Sequence, residues 1–243
     1  MKIVATIEAR MTSSRLPGKV LMPIMGKPML AYLIERLKRS RVDEIVVATT
    51  DRPTDDLIEQ LATNLGVGCF RGSEEDVLGR VLLAAKSVGA DVIVEITGDC
   101  PLIDPDIVDQ VLDVYLSQQV DYASNTLKRT YPRGLDVQVF STNLLDEVNI
   151  LTSDPIDHEH VSLYIYEHPE KYRLANLESG LSPAQANLRL TVDTIEDFSL
   201  IESVYNSLYL DNPNFSMGHV LAYLSDNPDV AKINSEIHQK PVR

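Results

Sequence analysis

The chain opens Lys2-Ile3-Val4-Ala5-Thr6-Ile7, passes through Glu8-Ala9-Arg10-Met11-Thr12-Ser13-Ser14-Arg15-Leu16-Pro17-Gly18-Lys19, and takes up a helical pattern only at Pro28. The opening run is β-branched and largely apolar, as a strand buried on both faces of a parallel sheet should be. Over residues 28–39 the apolar positions Met29, Leu30, Leu33, Ile34 and Leu37 recur with a helical period, and Pro28 suits a first turn. Strand, polar loop and helix in that order start an α/β unit, and the alternation continues. Strands are predicted over 44–49, 67–70 and 91–97, with helices over 55–65, 74–88 and 106–117. This predicts an α/β fold, a mostly parallel mixed sheet flanked by helices. Ligands of such sheets sit beyond the carboxyl ends of the strands.

The alternation loosens after residue 120. Strands are expected over 122–125 and 135–140, with the turn-forming Thr130-Tyr131-Pro132-Arg133-Gly134 between them. A helix is expected over 155–167, strands over 172–177 and 187–191, and closing helices over 195–208 and 217–224. With no internal repeat, low-complexity tract or linker, the reading is one domain over 1–243, with a lobe inserted around 125–185.

At 243 residues the chain is long enough to bury a core without a disulfide or structural metal. No apolar run approaches the ~18 residues of a membrane span. The opening apolar stretch is too short for a signal peptide, and the two cysteines, Cys69 and Cys100, have no CxxC spacing. The expected location is therefore the cytoplasm. A net charge of −14 argues against nucleic acid as a partner. Residues 1–41 nevertheless carry nine Lys/Arg against two acids, a net of +7, leaving −21 on the rest. Part of that excess, Arg36 to Arg41, reads as a solvated helix face. The remainder points to a local anion site.

Four segments carry candidate chemistry. The first loop puts Arg10, Arg15 and Lys19 among the hydroxyls of Thr12, Ser13 and Ser14, the groups a triphosphate needs. It is not a Walker A loop. The second is Thr97-Gly98-Asp99-Cys100-Pro101, where a strand ends and presents one carboxylate; Asp99 is a magnesium ligand or a turn aspartate. The third is Thr191-Val192-Asp193-Thr194, where Asp193 is a second metal ligand or a helix N-cap. The fourth is the lobe, where Arg129 and Arg133 are expected to meet an anion. His158 and His160 stand two apart, a spacing that disfavours a zinc pair on one helix face.

Ala9-Arg10…Ser14-Arg15-Leu16-Pro17-Gly18-Lys19-Val20-Leu21 followed by Gly26-Lys27-Pro28 resembles the opening signature of the cytidylyltransferases that activate 3-deoxy-manno-octulosonate and sialic acids. Similar matches follow in order: Arg71-Gly72-Ser73-Glu74, Thr97-Gly98-Asp99-Cys100-Pro101-Leu102, Arg133-Gly134-Leu135-Asp136, His160-Val161-Ser162-Leu163-Tyr164 and Val192-Asp193-Thr194. The nearest likeness is to the SpsF-like spore coat polysaccharide branch. The resemblance implies a nucleotide-diphospho-sugar transferase (GT-A-like) fold whose lobe serves acceptor binding and dimerisation. It implies CTP as donor, Mg2+ as cofactor, and a homodimer. By motif position Ala9, Arg10, Ser14, Arg15, Lys19, Ser73 and Thr97 would bind the nucleotide. Asp99 and Asp193 would hold the metal, and Arg10 and Lys19 would join them in catalysis. His160 and Tyr164 would contact the acceptor beside Arg129 and Arg133. Octulosonate enzymes read Gln-Gly-Asp-Glu-Pro around the metal aspartate where this chain has Thr97-Gly98-Asp99-Cys100-Pro101, so the sugar acid does not carry across. The expected reaction is transfer of CMP to a small anionic acceptor, with pyrophosphate released, in surface glycan synthesis. The alternatives are another nucleotide or acceptor, or a non-catalytic nucleotide-binding subunit.

Overall fold

The computed structural model describes residues 1–242. The chain begins with β1 (Ile3–Glu8), a short hairpin of β2 (Pro23–Ile24) and β3 (Lys27–Pro28), and α1 (Met29–Leu37). There follow β4 (Glu44–Thr50), α2 (Asp56–Asn64), β5 (Gly68–Gly72), α3 (Val77–Ser87), β6 (Val92–Thr97), α4 (Pro105–Gln118) and β7 (Tyr122–Ser124). The remainder is β8 (Gln138–Ser141), α5 (Thr142–Leu151), α6 (Pro155–Glu159), α7 (Leu163–Glu167), β9 (Leu174–Asn176), α8 (Pro183–Ala186), α9 (Ile195–Leu208), α10 (Met217–Asp226) and α11 (Pro228–Ala231).

Seven strands form one sheet in the order β5-β4-β1-β6-β8-β7-β9. Only β8 runs antiparallel to its neighbours; every other pairing is parallel. Successive strand residues point to opposite faces, and the core divides accordingly. Ala5, Val47 and Val94 pack against α1, α2, α4 and α9, while Val4, Val46 and Ile93 pack against α3, α5 and α7. The mostly parallel sheet with helices on both faces is thus the expected one. Because β8, β7 and β9 extend the same sheet, the span 125–185 shares the main core.

Three local expectations are corrected. The helix expected over 155–167 is two short helices, broken at His160-Val161-Ser162, where Val161 takes a left-handed φ of 47°. The break buries Val161 and lets the Ser162 hydroxyl donate to Gln138 Oε1 at 2.8 Å. The strand expected over 187–191 is reduced to one parallel bridge between Arg133 and Arg189, made by Arg133 N–H to Leu188 O and Leu190 N–H to Arg133 O; beyond it the Val192 N–H turns to Asp99 O. Helix α5, with Leu145 and Val148 buried, was not expected. Among the described residues no helix is long and apolar enough to cross a membrane.

Candidate active site

Parallel pairing of β4, β1 and β6 brings three chain crossings to one sheet edge. The first loop leaves β1 there, and the Thr97–Asp99 turn leaves β6 beside it. Gly98 permits the approach. Its N–H donates to Glu8 O at 2.8 Å, and a Cβ would lie 2.6 Å from that carbonyl. The first loop is tied down by Asp55, fully buried, which accepts from Met11 N–H and from the hydroxyls of Thr49 and Thr50. Beyond the loop a short 3-10 turn over Lys19–Leu21 aims the Lys19 side chain back under the edge.

The segment before α9 completes the site. Val192 N–H and the Thr191 hydroxyl both donate to Asp99 O, at 2.9 and 3.2 Å, so the two acidic segments are joined through backbone. Their carboxylates then meet. Lys19 Nζ lies 2.9 Å from Asp99 Oδ2, 2.9 Å from Asp193 Oδ1 and 2.6 Å from Val192 O. Asp193 Oδ2 is held by Arg15 Nη2 at 2.8 Å and Arg189 Nη2 at 2.6 Å. Burial works to raise the Asp193 carboxyl, but Lys19, Arg15 and Arg189 outweigh it and hold it below the usual carboxylate range. Burial likewise opposes the charge of Lys19, yet Asp99 and Asp193 hold its ammonium above the ordinary lysine value.

The donor set fits a divalent ion. Two carboxylate oxygens converge on a single point, which a lysine ammonium now fills with one positive charge. Magnesium commonly takes one or two carboxylates and completes its shell with water and substrate phosphates. Among the described residues no group of three or more His, Cys, Asp or Glu is placed to hold a metal.

The remaining candidates divide into those at this edge and those away from it. Thr97 is at the edge, its hydroxyl donating to Asp99 Oδ1 at 2.7 Å. Ala9 is buried against Gly98, its N–H bonding Ala48 O. Ser14 is exposed on the loop. Arg10 lies 3.6 Å from Glu74 Oε1, and Glu74 also takes Arg52 and the Thr12 hydroxyl. Ser73 caps the turn before α3 by accepting from Glu75 and Asp76 N–H. The cations of the first loop are therefore engaged by acids, where free phosphate-facing groups were expected.

Beside Thr97 lies a cavity of about 410 Å³, lined by Glu95, Arg129, Asp136, Gln138 and Tyr166 among others. Arg129 reaches it already forked onto Asp136, at 2.7 and 3.0 Å. Arg133 is close to Arg129, Asp136 and Arg189. Burial first, and then the like charge of Arg129, push its guanidinium down from the ordinary value. Tyr164 is not among the lining residues; its ring stacks on His168 and its hydroxyl accepts from Lys171. Two positions on, Tyr166 leaves the same short helix in another direction and lines the cavity. His160 is half-buried at the break after α6. His158, by contrast, bonds Asp76 at 2.6 Å and Thr152 O at 3.1 Å, a structural role.

Sequence reasoning missed Arg189, Asp197, Glu8 and Glu95. The last two sit on β1 and β6 with their carboxyls adjacent, and Glu8 Oε1 and Glu95 Oε2 are buried with no hydrogen-bond partner among the described residues. Burial drives Glu8 up to about 7, against the pull of Glu95 and of Arg80. Burial and then the neighbouring Glu8 push Glu95 well up. A charged residue at alternate positions of an otherwise apolar strand was the available signal.

The family model described as Cytidylyltransferase matches residues 4–218. The chain is 37% identical to the spore coat polysaccharide biosynthesis protein SpsF of Bacillus subtilis over 235 residues, 94% of this chain and 96% of that one. It is 31% identical to the 3-deoxy-manno-octulosonate cytidylyltransferase of Geobacter sulfurreducens over 253 residues, covering 88% of this chain and 96% of that protein. The structure of a cytidylyltransferase from Leptospira borgpetersenii superposes with a TM-score of 0.91 at 36% identity, over 98% of this chain and all of that one.

Proposed function

The chain belongs to the cytidylyltransferase family, and from that footing we propose that it transfers CMP from CTP to a small anionic acceptor in the synthesis of a surface glycan. The observation that carries this reading is the convergence of Asp99 and Asp193 on one cationic point at the sheet edge, beside a loop of cations and hydroxyls.

An acceptor oxygen attacks the α-phosphorus of CTP in line. The bond from that phosphorus to the bridging oxygen breaks, and pyrophosphate leaves with the electron pair. Catalysis is then mainly positioning and charge neutralisation. Ser14, Arg10 and the loop backbone grip phosphate oxygens, while Arg15 and Lys19 exchange carboxylate partners for the departing pyrophosphate. Asp99 and Asp193 would hold a magnesium ion, which when bound offsets charge on the α-phosphate. The acceptor enters the cavity beside Thr97. Arg133, crowded by Arg129 and Arg189, gains from an anion at its side, and this supports an anionic acceptor. A phosphate-bearing acceptor attacks through an oxygen already ionised at neutral pH and brings no proton to remove, whereas a sugar acid attacks through a hydroxyl whose proton passes to solvent. The same reading takes the protein to be a cytoplasmic homodimer, as the family likeness implies.

The test is pyrophosphate release from each of the four NTPs with a mixture of sugar acids and phosphorylated polyols. CTP is expected to be preferred, and Asp99→Asn to lower turnover by about two orders of magnitude or more. Release that is indifferent to Asp99→Asn would remove that carboxylate from the chemistry. Binding of CTP without turnover on any acceptor would favour a nucleotide-binding subunit.

A further inference from the structure

Asp193 is held by a buried network that the reaction does not itself require. Arg189 is 7% exposed and Asp197 is fully buried, yet both are charged. Every nitrogen of the Arg189 fork is used. Nε donates to Asp197 Oδ1 at 2.9 Å and Nη1 to Gln239 Oε1 at 2.7 Å. Nη2 donates to Asp193 Oδ2 at 2.6 Å and to Asp197 Oδ2 at 3.1 Å. Asp197 Oδ2 also accepts the backbone N–H of Asp193 and Thr194, at 2.9 and 3.1 Å. One carboxylate therefore fixes the backbone under Asp193, and the guanidinium it orients fixes the Asp193 side chain. Oδ1 alone is left facing Asp99.

The network is closed by the segment that follows α11. Asn234, buried, donates from Nδ2 to Asp197 Oδ1 at 2.8 Å and to Arg189 O at 3.0 Å. Gln239 takes the outer arm of the fork. A buried ion pair needs such extra hydrogen bonds to offset its desolvation, and groups that orient a metal-binding carboxylate strongly affect affinity for the ion.

We propose that Arg189 is a positioning residue that presents Asp193 to a divalent ion, and that Asn234 and Gln239 strap it in place. This rests on the reading of Asp99 and Asp193 as metal ligands. The experiment is titration of the full chain with Mn2+ in the presence of CTP, followed by the loss of the free Mn2+ electron paramagnetic signal beyond that caused by the same concentration of CTP alone. CTP binding in EDTA is measured alongside it. Arg189→Lys, which keeps the charge and loses the fork, is expected to weaken Mn2+ binding about tenfold while leaving metal-free CTP binding unchanged. Asn234→Ala and Gln239→Ala remove no charge and carry the test if Arg189→Lys does not fold; each is expected to weaken Mn2+ binding about threefold. Mn2+ binding that is abolished by Asp193→Asn but unchanged in the folded strap variants overturns this inference and leaves the metal reading standing. Absence of Mn2+ binding by the unaltered protein overturns both.

Discussion

Lys19 holds together two carboxylates that would otherwise repel. Lys19 is only 8% exposed, and its ammonium lies 2.9 Å from an oxygen of each. Removing one member of a buried ion cluster leaves uncompensated charge and costs about 3–5 kcal/mol. Lys19→Met should accordingly lower Tm in metal-free buffer. Added Mg2+ should then raise the Tm of the variant more than that of the unaltered protein, since the ion replaces the lost charge. Scanning fluorimetry across a Mg2+ series checks this; equal shifts in the two proteins would mean the ion does not bind between the aspartates. Glu8 is legible through pH. Its folded value of about 7 lies above the ordinary 4.5, so the folded chain holds this proton more tightly than the unfolded chain does. Its contribution to stability is therefore complete below pH 4.5 and is lost as pH rises through 7, a change of about 3 kcal/mol. Glu8→Gln removes that loss, and its Tm relative to the unaltered protein should be higher at pH 8 than at pH 5.

At the level of elements, the site is made by two turns pressed against strand ends. The turn after β6 depends on Gly98, because a methyl group there would meet Glu8 O at 2.6 Å. Gly98→Ala is expected to destabilise by about 1–3 kcal/mol and to reduce turnover further by displacing Asp99. Urea denaturation and CTP-dependent pyrophosphate release measure the two effects, and full activity would show that the turn tolerates the shift. The second turn is anchored by the N-terminus of α9, where Thr194 and Asp197 form a capping box. The sequence offers Asp193 as the cap, but the structure puts the cap one residue on, at Thr194; α9 itself runs over 195–208, as expected. Asp197 as the ligand of Arg189 was not readable, because no periodicity marks a contact between a helix cap and the irregular segment before it. The 155–167 helix failed for a related reason. Its apolar positions fit one continuous period, but Val161 and Ser162 make better contacts in the core and with Gln138 when the chain turns left-handed between them.

Across the whole molecule, a basic first loop meets acids supplied by distant parts of an acidic chain. Ligand binding to such a site should stabilise the fold as a whole, in proportion to the logarithm of ligand concentration. CTP with Mg2+ is expected to raise Tm more than CTP with EDTA, and an equal rise would exclude a shared ion. The residue pattern by itself determined the alternation of strands and helices, and singled out Arg15, Lys19, Asp99 and Asp193, which the fold brings together at one sheet edge. Buried strands and amphipathic helices are local patterns, written at periods of two and 3.6 residues. Only the tertiary structure decided who pairs with whom: Lys19 between Asp99 and Asp193, Arg129 forked onto Asp136, Tyr166 in the cavity in place of Tyr164, and residues 234–239 folded back onto Arg189. Those partnerships join residues far apart in the chain, and their energies depend on burial and distance, which no sequence spacing encodes.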